Sequence, residues 1–359
     1  MFRPAALLLA CLAVMAMPAR AQDRAAVVTA LTRDVAVPAV EGFAQATDAF
    51  VATAANACAD PAAVDTARLQ AGFGEVADAW ARLEPLAFGP LIADNRIFKV
   101  NFWPDGHGVA ARQLRQYLAT ADVAAAAAER LAGASVAVQG LPALEALLFD
   151  AADGLDEGSE AADFRCAFVE GLAGNLDSMA EAIAAEWTAE PDGYAMALTG
   201  AAADPALRVR TDDALLLYFR AASGALGRIL QLKLEKPLGA DIDSADGRLV
   251  EQAGSGRSAA AILGNLVTVE ALLVGADGPG LVDAAGLFGS ADGLRERLVT
   301  ARAALEGLAV PLSEAVADPD GRSRVQVARF ALEDVQRVVD GRVGAAFGLG
   351  VSFNAADGD

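Results

Sequence analysis

Histidine is nearly absent: His107 is the only one in 359 residues. That excludes whole classes of chemistry. A Ser–His–Asp triad would have to be built on His107, and no Gly-x-Ser-x-Gly elbow accompanies it. A zinc-protease helix needs two histidines four residues apart, which this chain cannot supply. No phosphate-cradling loop or dinucleotide fingerprint is present, because the scattered glycines do not follow strands. Strand signals are themselves scarce. Aromatics make up 6% of a chain that is 55% apolar, so the core must be built mainly from Ala, Leu and Val. Basic residues are outnumbered 28 to 48, giving a formal net charge of −20. Such a surface repels phosphate backbones and anionic membranes, so nucleic acid is not an expected partner. His107 itself stands in an Asp-Gly-His-Gly turn, the setting of a solvated side chain, since metal ligands come in clusters.

Cysteine is scarce too, and one of the three, Cys11, lies in a distinctive N-terminal segment. Met1-Phe2-Arg3 is a short basic start, Pro4 to Met17 is almost wholly apolar, and Ala19 and Ala21 are small residues where a signal peptidase reads. The apolar run of about 14 residues is shorter than the ~20 a spanning helix needs. A secretory signal over residues 1–21 is expected, with Gln22 as the new N-terminus. The alternative is a lipoprotein signal ending at Cys11, from Leu8-Leu9-Ala10-Cys11, although the apolar run continues past it. Cleavage leaves Cys58 and Cys166, an even pair in an oxidising compartment. A disulfide between them would close a loop of about 100 residues, worth roughly 4–5 kcal/mol; two separate buried thiols are the other reading. No later run reaches membrane-spanning length. The expected location is the periplasm or cell envelope.

What the chain has in abundance is helix. Apolar residues recurring every three or four positions predict helices over 35–58, 62–83, 135–149, 161–187, 211–236, 257–274, 293–308 and 322–347. Residues 110–131 read as one long helix or two short ones. Ala and Leu favour these helices, and Gly, Pro and Asp clusters supply the stops. About nine or ten helices make an all-α protein with enough elements for two bundles. There is also an internal echo. Residues 135–148 align without gaps to 260–273, matching Leu141 to Leu266 and sharing Glu-Ala-Leu-Leu at 145–148 and 270–273. Arg96 to Pro104 faintly resembles Arg228 to Pro237. The repeated order predicts duplication, with a first bundle over 22–195 and a second over 205–348.

Each half then carries a glutamate in an apolar stripe. Three and four positions from Glu145 stand Leu141, Pro142, Leu148 and Phe149; around Glu270 stand Leu266, Val267, Leu273 and Val274. A buried carboxylate is costly unless it is paired, hydrogen-bonded, protonated or bound to a metal. Arg96, Arg165, Arg220 and Arg257 could reach inward as partners. Either a ligand site between helices or a buried Arg–Glu pair fits Glu145, whereas the structural pair is the expectation for Glu270. The stretch from Arg96 to Asp105 is the densest aromatic and polar cluster. Its Trp103 and Asp105, beside the Pro104 turn, suit the lining of a pocket or an aromatic plug at a bundle end.

At Val138-Gln139-Gly140-Leu141-Pro142-Ala143-Leu144-Glu145-Ala146-Leu147-Leu148-Phe149 the chain resembles the imelysin-like family of bacterial cell-envelope proteins, and within it the branch described as predicted periplasmic lipoproteins. Phe102-Trp103-Pro104-Asp105, Lys236-Pro237-Leu238-Gly239 and Gly256-Arg257-Ser258 support the resemblance over roughly residues 35 to 345. It implies two helical bundles, a site where they meet, and a link to iron uptake or metal binding. The family's GxHxxE hallmark places Gly140 and Glu145 in register but puts Pro142 where the histidine belongs. Proline has no donor atom, so a His–Glu transition-metal site and peptidase activity both lose their ligand; a hard cation could still use oxygen donors. The expectation is a non-enzymatic envelope binding or accessory protein for a metal ion or iron chelate, working with other iron-uptake components. Glu145 is its central acid and candidate metal ligand, with Arg96, Trp103, Asp105, Gln139, Arg257 and Ser258 around it. A metal-dependent peptidase and a purely structural envelope protein are the alternatives.

Overall fold

Proline and glycine punctuation divides the Ala- and Leu-rich chain into helices, and no strand occurs among the described residues. The structure, a computed structural model, describes residues 24–60, 63–120, 122–150 and 162–349; the expected signal segment, Cys11 included, lies outside them. A helix running from residue 24 passes through a π turn at Thr32–Ala36 into α1 (Val37–Ala57). Asp65 caps α2 (Thr66–Leu83), accepting the Arg68 N–H with its side chain, which satisfies one of the donors a helix start leaves open. Then follow α3 (Arg96–Val100), α4 (Val109–Thr120), α5 (Gly140–Phe149), α6 (Ala162–Thr188) and α7 (Thr211–Arg228). The helix of α7 continues through a second π turn, Ile229–Glu235, and stops after Lys236–Leu238. The last long elements are α8 (Ser258–Val274), α9 (Ala291–Glu306) and α10 (Pro319–Val338).

The segment that reads as one long helix or two short ones is two, and one expected helix is shorter than its apolar pattern. Residues 110–131 break into α4 and a short turn of helix at Ala128–Ala132, because Asp122 caps an intervening 3-10 turn at Val123–Ala126. Residues 135–149 break at Gly140, which stands at φ +66°. A Cβ there would run into the carbonyl oxygens of Lys99 and Val100. Only glycine lets the start of α5 rest on the end of α3 in that conformation.

Packing places α2 centrally. One side of α1 lies along α2 and another along α6, while α2 also packs against α8; α8 in turn meets α7 and α9, and α9 lies along α10. The α2–α8 approach is close enough that a Cβ on Gly264 would sit 2.6 Å from that of Ala81. The buried apolar side chains form one continuous cluster running from Val27 to Val343. Each large aliphatic or aromatic member contributes roughly 1.5–3 kcal/mol by leaving water. Cys58, at the end of α1, is bonded to Cys166 on α6 with their Cα atoms 5.6 Å apart, so the α1–α6 pair is tied covalently as well as by packing. No helix among the described residues is long and apolar enough to cross a membrane.

Candidate functional site

Glu145 projects from α5 toward a polar turn over residues 251–257, far away in sequence. Its Oε1 accepts two hydrogen bonds from Ser255, from the backbone N–H at 2.8 Å and from Oγ at 2.6 Å. Gly254 lies against the carboxylate, so that even a Cβ there would sit within 3.7 Å of Oε1. No arginine or lysine among the described residues shifts the Glu145 charge; its surroundings offer only Ser255 against burial. Glu270 differs. It is paired with Arg302 of α9, whose Nη2 also donates to the Leu266 carbonyl at 3.0 Å. The structural Arg–Glu pair expected at Glu270 is therefore present there, and Glu145 has no such partner.

The face of Glu145 opens on a cleft of about 320 Å³, near the lower end of the range for small-molecule sites. Its walls come from the Asn101–Gly106 stretch, the start of α4, the start of α5, and residues 248–254, with Lys236 at one edge. Trp103, Asp105 and Glu145 are thus brought to one place. Asp105 also has a local duty: its two oxygens accept the N–H groups of Val109 and Ala110, capping α4.

The other four expected site residues do not line the cleft; three of them have partners elsewhere, and the buried Ser258 hydroxyl has none among the described residues. Arg96 grips Glu186 of α6 through Nη1 at 2.9 Å and Nη2 at 2.6 Å, and donates to the Pro90 carbonyl. Gln139 donates to the Ala134 carbonyl and accepts from Asn175. Arg257 is ion-paired with Asp78 of α2 at 2.5 Å, and Ser258 opens α8 with its side chain buried. These contacts brace α3 to α6 and α8 to α2.

Under the cleft lies a charge cluster. Lys233, 2% exposed, extends Nζ from the π turn after α7 to Glu84 Oε2 at 2.7 Å, Glu251 Oε2 at 2.6 Å and Asn265 Oδ1 at 2.7 Å. Glu84 and Asn265 accept hydrogen bonds from the ammonium, and Glu251 is in ion-pair contact with it. Asn101 Nδ2 donates to Glu251 Oε1 at 2.5 Å, and Arg228 lies 3.4 Å from Glu84. Nζ also sits 5.9 Å from the centre of the Trp103 ring, within cation–π range. Burial opposes ionisation of Glu84, yet Lys233 and Arg228 outweigh it and hold the carboxyl below its ordinary range. For Glu251 burial prevails and raises the carboxyl, with Glu84 adding repulsion. Burial lowers Lys233, but Glu251 and Glu84 more than reverse that and keep it charged.

With this geometry in place, comparison with known families and structures is informative. The family model described as Imelysin (Peptidase_M75) matches residues 36–339. The chain belongs to the imelysin family. Solved structures of similar fold include an imelysin-like protein from Psychrobacter arcticum 273-4, with TM-score 0.74 and 23% identity over 93% of this chain and 98% of that one. A second, from Parabacteroides distasonis ATCC 8503, is provisionally assigned as an iron-regulated protein A precursor; its TM-score is 0.73 at 16% identity, covering 91% and 95% of the two chains. Comparison with curated protein sequences gives no match.

The cleft does not gather, among the described residues, the side-chain donors of a transition-metal site. Among the described residues no three His, Cys, Asp or Glu side chains converge as a cage. Pro142 has no ligating atom, and His107 lies outside the cleft lining, its carbonyl bonded by Arg112. Glu145, expected as a metal ligand, would be a lone protein donor where transition-metal sites use three or four. The donor set therefore does not fit a transition-metal ion held by the protein alone.

Sequence reasoning missed Ser255, Gln252, Lys233, Glu84 and Glu251. For Lys233 half a signal existed: Ile229 and Leu230 stand four and three positions before it, but Lys236 stands three positions after it, so the stripe that singled out Glu145 is incomplete here. The turn at 251–257 has no periodicity to read.

Burial raises the Glu145 carboxyl above its ordinary range, against the opposing hydrogen bonds of Ser255. A raised carboxyl favours the fold when protonated. Its contribution is full below the unfolded carboxylate range and is lost as pH rises through the raised value. Glu145→Gln keeps the Oε1 acceptor and removes the charge. Its melting temperature is expected to equal or exceed that of the unmodified protein at about pH 8, and to lose any advantage at about pH 4. Thermal unfolding at both pH values checks this; a variant less stable at the higher pH would show that the ionised carboxylate is a net stabiliser.

Proposed function

We propose that this imelysin-family chain is a non-enzymatic binding or accessory protein of the cell envelope, which holds a small ligand in the cleft at Glu145. The observation that carries the reading is the state of that carboxylate: largely buried, anchored through one oxygen, and facing a cleft with no cation against it. A carboxylate so placed costs stability, and such a cost marks functional sites more often than scaffold. The Arg302-paired Glu270 supplies the contrast within the same chain. An envelope location agrees with the disulfide, since such bonds persist in oxidising compartments. The link to iron acquisition draws on the family and on the iron-regulated assignment of the Parabacteroides protein. A chelated iron fits better than a bare ion, because the chelator brings the donors this cleft lacks. Peptidase activity is not part of this reading, for want of a second and third metal ligand. The same reading takes 22–195 and 205–348 as bundles related by duplication, with Glu145 and Glu270 as the corresponding acids.

Thermal shift of the purified chain tests the proposal against ferric citrate and against ferric, ferrous, cupric and calcium ions. Ligand at a hundred times Kd adds about 2.7 kcal/mol, a rise of several degrees on the usual scale. A member of the panel is expected to give such a rise, and Glu145→Gln to abolish it. Absence of any shift across the panel counts against an iron-linked ligand at this site.

A further inference from the structure

The cleft carries two unanswered polar groups of opposite kind. One is Glu145, whose Oε1 is occupied by Ser255 and whose Oε2 has no hydrogen-bond partner among the described residues. The other is Gln252. It is one of the residues lining the cleft, 7% exposed, and its buried Nε2 finds no acceptor among the described residues. An unpaired buried amide donor is costly to keep. Gln252 also holds φ at +53°, the left-handed region that a non-glycine residue rarely enters without a reason. Between these groups the walls are apolar or aromatic, with Trp103, Leu141, Pro142 and Val250. The Trp103 ring already lies near one cation, Lys233.

The charges around the cleft are unequal in their freedom. Arg248 is tied to Asp246 through Nε and Nη2, and the charge of Lys233 is shared between Glu84 and Glu251. Asp105 caps α4. Lys236 also lines the cleft but is exposed to solvent, and it does not act on Glu145. Glu145 is thus the inner group whose charge has no answer, in a chain whose net charge of −20 draws cations toward it.

We infer that the cleft is built for a small organic cation: a protonated amine, amidine or guanidine that pairs with Glu145, carries an acceptor for Gln252 Nε2, and lays its carbon frame against Trp103. An organic cation brings its own donors, so it needs one carboxylate where a metal ion needs three or four ligands. Such a charge-assisted bond is short and strong inside a partly closed site. This inference rests on the cleft being a ligand site, and it names the chemistry of what enters.

A shape-matched trio tests it: benzamidine as the cation, benzamide as the neutral form and benzoate as the anion. Calorimetric titration gives the affinities. Emission from Trp103 reports where binding occurs, because Trp80 and Trp187 are 1% and 0% exposed within the core. Benzamidine is expected to bind about tenfold more tightly than benzamide or benzoate, the least a charge-assisted bond should supply. Glu145→Gln should erase that preference. Affinity should rise with pH as Glu145 ionises, and that rise should be lost in Glu145→Gln, which separates it from Glu251, the other cleft carboxyl that burial raises. 4-Amidinobenzamide, which adds an acceptor, should gain over benzamidine in the unmodified protein and not in Gln252→Leu. Equal affinity across the trio, or a benzamidine preference that survives Glu145→Gln, overturns the assignment. Ferric citrate or benzoate moving Trp103 emission without any benzamidine preference overturns the cation and leaves the cleft as a ligand site. If neither panel moves Trp103 emission, both readings fall.

Discussion

Lys233→Met should cost the fold about 3–5 kcal/mol, the penalty of removing one partner from a buried ion pair. The loss is this large because Lys233 answers two carboxylates at once. Without it Glu84 and Glu251 remain buried, at 5% and 3% exposure, and face only Asn101, Asn265 and the more distant Arg228. The pH dependence follows. In the unmodified protein Glu84 is held below the ordinary carboxylate range, so its contribution is present above that range and lost as pH falls through the lowered value. In the variant both carboxyls rise, protonate readily and cease to repel. The gap between variant and unmodified protein should therefore narrow from about pH 8 to about pH 5. Urea denaturation at the two pH values measures it. Adding Glu251→Gln to Lys233→Met should recover part of the loss. A deficit under about 1 kcal/mol, typical of exposed pairs, would mean that water reaches the cluster.

The second large effect concerns the Cys58–Cys166 bond. Its partners are 108 residues apart, so the chain-entropy relation puts its removal at about 4–5 kcal/mol. Both sulfurs are buried, and serine fills almost the same space. The paired substitution Cys58→Ser, Cys166→Ser should lower the urea midpoint, and the unmodified protein in reductant should follow the same curve. If reductant shifts the unmodified protein and the serine pair does not shift further, the cross-link accounts for the loss. A variant as stable as its parent would show that α1 and α6 remain associated in the unfolded ensemble.

How much of this could be read beforehand depends on what each feature rests on. Helices and their stops rest on local propensity and punctuation, and the long segments lie where the periodicity placed them. The break at Gly140 rests on the carbonyls of Lys99 and Val100 approaching from α3, a tertiary fact. Glu145 was legible because a charge in an apolar stripe is a local anomaly. Its partner Ser255 was not, since 110 residues separate the two and the turn around Ser255 is merely polar. Arg96, Gln139, Arg257 and Ser258 share a different history. Each is polar and inward, as the pattern around it implies, but burial alone does not say which neighbour a side chain will meet. Arg96 met Glu186 and Arg257 met Asp78.

The π turn at Ile229–Glu235 bears on how this centre can be gained or lost. A π turn holds one residue more than the α-helical turn it replaces. Deleting a single residue within it would restore α-helical winding between flanking turns that stay in place, leaving one position fewer for the residues of the turn itself. Lys233, which lies within the turn, would then shift against Glu84 and Glu251, although no charged residue had changed. The ionic centre beneath the cleft is thus written in helical register as much as in residue identity. Relatives that keep every acid and base but differ by one residue in this stretch should be expected to lack it.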